Sequence, residues 1–143
     1  MGTELVTTIG WSAGKRKVTA VKACQERDAE VLVSLVNAYL NQRGKKGSKT
    51  SPATRRTYET GLLRWIVYCW PVKSEPPSVP LLRATVDDVE LFKAARQEAG
   101  NREATVSSYL AAAWTFYKAL IWANAIEASP AADVLSPTDP RPR

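Results

Sequence analysis

Seven Lys or Arg side chains and a single Glu lie between Arg43 and Arg64, a balance of +6 that equals the formal net charge of the 143-residue chain. The stretch reads RGKKGSKTSPATRRTYETGLLR. Lys45, Lys46 and Lys49 sit in a Gly-containing loop that runs through Thr50 into Ser51-Pro52. Ser is a good helix N-cap and Pro suits the first helical position, so a helix is expected to begin there. Arg55 and Arg56 then fall near its start, and Arg56, Thr60 and Arg64 recur at a spacing of four. Free backbone N–H groups, the positive end of the helix and clustered cations converge, which is the requirement for holding a polyanion. A solvated basic loop ahead of an ordinary core helix would read the same way, because basic runs often only confer solubility.

Other chemistries are poorly supplied. The chain has no His, which removes His-based acid–base catalysis, Ser-His and Cys-His nucleophile pairs and most zinc chemistry. No Walker or dinucleotide phosphate loop is present. Cys24 and Cys69 are isolated from each other and from any metal-ligand pattern, so neither a metal site nor a cofactor is predicted. The sequence pI is about 9.5, which favours an acidic partner such as nucleic acid or a lipid headgroup surface, and no small-molecule substrate is expected. No apolar run approaches the roughly 18 residues of a membrane span, and no signal-peptide pattern opens the chain. A cytoplasmic protein, nucleoid-associated when bound to DNA, is the simplest expectation.

The elements that must position the basic residues read as helices. Residues 1–25 show no period and contain Gly10, Gly14 and the run Lys15-Arg16-Lys17, which predicts a flexible basic arm. A first helix is expected from an Asp28 cap to Gln42, with Val31, Leu32, Leu35, Val36 and Tyr39 on one face. The second spans about Pro52 to Trp70, with Tyr58, Leu62, Trp65, Ile66 and Cys69 on its inner stripe. Residues 71–84 hold four prolines and predict a stiff internal connection. Thr85 and Asp88 form a variant capping box for a third helix that ends at Gly100. Its surroundings, 85–103, carry five acidic residues against three basic ones, which disfavours contact with DNA.

A fourth helix is expected from about Arg102 to Ala125, with Val106, Tyr109, Leu110, Ala113, Phe116, Tyr117 and Leu120 as its core stripe. Ser107, Ala111, Trp114 and Lys118 line up on its far side, where small residues allow close approach to another surface. Trp122 points away from the core stripe and reads either as a protein contact or as a residue covered by another part of the chain. A short fifth helix is expected over Ala131 to Leu135, and 136–143 reads as an exposed linker.

Taken together, these residues resemble the core-binding, SAM-like domain of the tyrosine recombinases of the phage-integrase family. The second helix carries the resemblance in Thr54, Tyr58, Leu62, Trp65 and Cys69. The third carries it in Ala84-Thr85-Val86-Asp87-Asp88-Val89 through Gly100. The fourth does so in Thr105-Val106, Leu110, Ala112, Phe116-Tyr117, Leu120, Ile126 and Ser129-Pro130-Ala131, where the family more often has Asn than Ser before Pro-Ala. The resemblance covers roughly 26–135. It implies an all-α fold of four helices in crossed pairs with a short fifth. It further implies that the second and fourth helices grip a double-stranded DNA half-site within an assembly of recombinase protomers. Strand cleavage would belong to a C-terminal catalytic domain beyond the linker, so the five tyrosines of this chain are not expected to be nucleophiles. The DNA-facing candidates are Lys45, Lys46, Lys49, Thr50, Ser51, Arg55, Arg56, Thr60, Arg64, Ser107, Trp114 and Lys118. The alternatives are a stand-alone helical DNA-binding regulator and a helical protein-interaction domain. The long Pro-rich join disfavours a helix-turn-helix, whose turn is only about three or four residues.

Overall fold

Capping chemistry sets the principal helix boundaries. The structure, a computed structural model, describes residues 13–42 and 51–137, and among these the fold is all-α with no strand. The helices are α1 (Ala13–Glu26), α2 (Ala29–Gln42), α3 (Pro52–Cys69), α4 (Val86–Glu98) and α5 (Glu103–Trp122). A 3-10 turn, Leu81–Arg83, precedes α4. The second and fourth helices of the sequence reading are α3 and α5.

Helix α1 corrects the expectation of a flexible arm as far as residues 13–25 are concerned. Its buried side chains are Ala20, Ala23 and Cys24, a stripe of small residues at helical spacing beneath an outer surface that includes Lys15, Lys17 and Lys22. Small side chains let α1 lie close to α2 and to the 3-10 turn. The same small side chains give almost no hydrophobic signal in sequence. Arg27 adopts a left-handed conformation (φ 53°) at the reversal between the two helices, and Asp28 Oδ1 accepts from Val31 N at 3.2 Å to cap α2.

Helix α3 begins as its sequence dictates. Ser51 Oγ accepts from Thr54 N at 3.1 Å, and Pro52 occupies the first turn. Leu62, Trp65, Ile66 and Cys69 are buried on one face. At its end Trp70 N donates to Ile66 O at 2.8 Å, and the Trp70 indole N–H donates to Glu75 O at 2.5 Å. The Pro-rich connection is thus folded back onto the helix it leaves, and Val79 N donates to Cys69 O at 2.9 Å. It is an internal loop. Thr85 and Asp88 form the reciprocal capping box of α4: Asp88 N donates to Thr85 Oγ1 at 3.2 Å and Thr85 N to Asp88 Oδ2 at 2.8 Å. Gly100 ends that helix at φ +89°, a conformation that glycine adopts without penalty.

Three helices meet in an aromatic core. Trp65 of α3 packs edge-on against Phe92 of α4, with centroids 5.2 Å apart, and against Tyr117 of α5 at 6.1 Å. Each fully buried large apolar side chain of this kind contributes about 1.5–3 kcal/mol. Helices α3 and α5 form the largest interhelix contact. Gly61 makes it possible: a Cβ built there would lie 2.5 Å from Ala112 Cβ. After α5, residues 130–133 form a turn in place of the short helix expected over 131–135, with Pro130 and Ala131 buried.

Candidate nucleic-acid interface

Because α3 buries Leu62, Trp65, Ile66 and Cys69, the opposite face must meet solvent, and it carries Arg56, Thr60 and Arg64, all exposed. The close crossing at Gly61 brings the first half of α5 up beside this face. Ala53, Arg56, Thr57 and Thr60 from α3 and Ser108 and Tyr109 from α5 line an open groove between the two helices. The groove offers a guanidinium and several hydroxyls, a set able to bind phosphate oxygens and base edges.

Four of its members, Ala53, Thr57, Ser108 and Tyr109, were not picked out as site residues from sequence. Tyr109 follows the apolar period of α5 and reads as core, yet it is only half-buried. The signal that could have found it is Gly61 opposite the small-residue run Ala111-Ala112-Ala113, since close approach of two helices exposes the rims of their shared groove.

The other candidates are placed variously. Lys45, Lys46, Lys49 and Thr50 lie outside the described residues. Ser51 is exposed, and its hydroxyl is spent on the cap, accepting from Thr54 N and donating to Thr54 Oγ1 at 2.9 Å. Arg55 turns the other way from Arg56. Its Nη1 donates to Asn37 Oδ1 at 3.1 Å and its Nη2 to Asn41 Oδ1, so the guanidinium ties the start of α3 to α2. Ser107 is half-buried, and its hydroxyl pairs with that of Ser136, joining α5 to the segment after it.

Trp114 is 43% exposed, with Lys118 Nζ over its ring at 4.0 Å from the centroid. That geometry is a cation–π contact, which holds both side chains on the surface of α5. Trp122 takes the second of the two readings that the sequence left open. It is half-buried, with the Arg16 guanidinium 4.3 Å from its ring centroid and the Tyr39 ring at 5.8 Å. Covered by α1 and α2, it serves the fold. The sequence did not name the covering element because α1 itself was not foreseen.

The buried thiols and phenols are electrostatically quiet. Burial pushes the Cys24 thiol up to about 12 and raises Cys69 as well, with Asp88 adding to the latter. Tyr117 is raised well above the usual phenol range, chiefly by burial. None of these groups is an anionic nucleophile at neutral pH. Among the described residues no cluster of three or more His, Cys, Asp or Glu could hold a metal, and no helix is long and apolar enough to cross a membrane.

Comparison with known proteins gives one match. The family model of the phage integrase N-terminal SAM-like domain matches residues 44–124, more than half of the 143-residue chain. No curated protein and no solved structure matches at a significant level. The match takes in the basic loop, α3, the Pro-rich connection, α4 and α5 together, and on that ground the chain belongs to the phage integrase N-terminal SAM-like domain family.

Proposed function

We propose that this chain is the DNA-binding module of a site-specific recombinase of the tyrosine type. It grips a recombination half-site through α3 and α5, within an assembly of recombinase protomers, while a separate catalytic domain cleaves and rejoins the strands. The observation that carries the reading is the α3–α5 groove, where Arg56, Thr57 and Thr60 stand beside Ser108 and Tyr109 on a chain of this family. In this reading Lys45, Lys46 and Lys49 contact phosphates and supply the long-range attraction. Arg56 or Arg64 reaches base edges, and Trp114 with Lys118 adds close contact from α5.

Titration of labelled duplex at several salt concentrations tests it. If about four to six phosphates are neutralised, log K falls against log salt with a slope of roughly −4 to −5. Binding that ignores salt, or no binding at low salt, would count against the reading. Strand cleavage is not expected of this chain. A covalent adduct on a nicked suicide duplex, lost on changing any one tyrosine, would overturn the division of labour.

A further inference from the structure

The solvent face of α3 is not uniformly polar. Arg56, Thr60, Leu63 and Val67 recur at i, i+4, i+7 and i+11, the spacing of one stripe along a helix. The first two are exposed, Leu63 is 38% exposed and Val67 49%. Arg64, also exposed, flanks the stripe. The core is fully served by the opposite stripe of Leu62, Trp65, Ile66 and Cys69, so folding does not require Leu63 or Val67 to be apolar. Val is moreover a weaker helix former than the polar residues that could stand there. One helix face thus begins in a cation and a hydroxyl and ends in two branched aliphatic side chains, with Arg64 beside them.

Resting on the reading of α3 as the DNA-facing helix, we infer that Leu63 and Val67 read thymine by contact with its C5-methyl group. The major groove presents hydrogen-bonding groups and one apolar group, that methyl, which cytosine lacks. Arg56 and Arg64 on the same face fix the occupant as a polyanion, so the apolar end of the stripe meets base edges. From Arg56 to Val67 the stripe rises about 16 Å at 1.5 Å per residue. That span matches about five base pairs at 3.4 Å each, and places the arginine and the aliphatic pair on different steps of one site.

The test uses the chain as it stands. Duplexes selected by it from a randomised pool are resynthesised with deoxyuridine in place of thymine, which removes only the methyl groups. Loss of each contacted methyl is expected to weaken binding about three- to fourfold, the worth of one buried methyl-sized group. The Leu63→Ala/Val67→Ala double variant is expected to bind thymine and deoxyuridine duplexes equally. Equal affinity of the unaltered chain for both duplexes, with salt-dependent binding intact, overturns the inference and leaves the DNA-binding reading standing. Failure to select any duplex overturns that reading and this one with it. Methyl discrimination that survives in the double variant, or a double variant whose only change is loss of self-association in sedimentation, also overturns the inference, since the stripe would then serve another contact.

Discussion

The indole N–H of Trp65 donates to the hydroxyl of Tyr117 at 3.1 Å, and that hydroxyl donates onward to Leu81 O at 2.8 Å. Both rings are fully buried, so no water completes these bonds. One phenol therefore joins α3, α5 and the 3-10 turn at the end of the Pro-rich connection. Removing it leaves two buried polar groups unpaired, each of which costs about 1–3 kcal/mol. Tyr117→Phe is expected to lower the urea midpoint by an amount equivalent to at least about 1 kcal/mol, with the m-value unchanged. DNA affinity, measured well below the new midpoint, should stay within twofold. An unchanged midpoint would show that the three elements are held together without this relay.

The helix crossing makes a second prediction. Gly61→Ala gains about 1 kcal/mol of helix propensity, yet its new Cβ would sit 2.5 Å from Ala112 Cβ. Neither atom is the end of a flexible side chain, so the helices must part. Overpacking of this kind costs about 1–3 kcal/mol, which outweighs the propensity gain. Gly61→Ala should destabilise the domain, and Ala112→Gly should rescue it partly when the two are combined. A double-mutant cycle by thermal denaturation measures the coupling, and additive effects would refute the steric account.

What could be read from sequence follows from which signals survive as side-chain chemistry. Ser51-Pro52 and Thr85/Asp88 name their helix starts because a cap is a local interaction between near neighbours. The stripe of Leu62, Trp65 and Ile66 names its buried face because large apolar residues at helical spacing have few other uses. Helix α1 escaped because its contact is made by Ala20, Ala23 and Cys24, residues whose value lies in being small. Missing α1 then left open whether Trp122 meets a partner or is covered by the chain itself. Arg55 and Arg56 could not be told apart, because adjacent residues on a helix differ by about 100° and only the position of α2 decides which one it captures. The groove at Tyr109 depends on the Gly61 crossing, a pairing between distant segments that no local pattern encodes.

The buried thiols give a pH-dependent expectation. In the folded chain Cys24 is raised to about 12 from an ordinary value near 9, and Cys69 is raised as well. A group that holds its proton more tightly when folded stabilises the fold fully below its unfolded pKa, and that stability is lost as pH rises towards the folded value. Stability should therefore be flat through neutral pH and fall above about pH 9. The Cys24→Ala variant, whose small side chain suits the α1 stripe, should show a shallower alkaline decline. Thermal melts at pH 7 to 10.5 check this, and an identical slope in the variant would remove Cys24 from the account. At neutral pH both thiols should react with a disulfide reagent only as fast as the domain opens.

Adjacent arginines separate folding from binding. Arg55 is held by Asn37 and Asn41 of α2, whereas Arg56 faces the groove with Thr60, Ser108 and Tyr109. Arg55→Ala removes charge-assisted hydrogen bonds at a half-buried site, and a loss of about 1 kcal/mol in stability is expected. Its effect on duplex affinity should be small at temperatures where the variant is folded, because its charge already lies against α2. Arg56→Ala should leave the melting temperature within the range of a surface substitution, about ±0.5 kcal/mol. It should weaken duplex binding instead. If Arg56 meets a phosphate, the salt slope falls by about one and all sequences weaken alike. If it meets a guanine edge, preference at one position relaxes and about 1–3 kcal/mol is lost there. Lys45→Ala with Lys46→Ala should follow the phosphate pattern. The two arginines would be wrongly assigned if Arg55→Ala abolished binding without loss of stability while Arg56→Ala melted the domain and left affinity untouched.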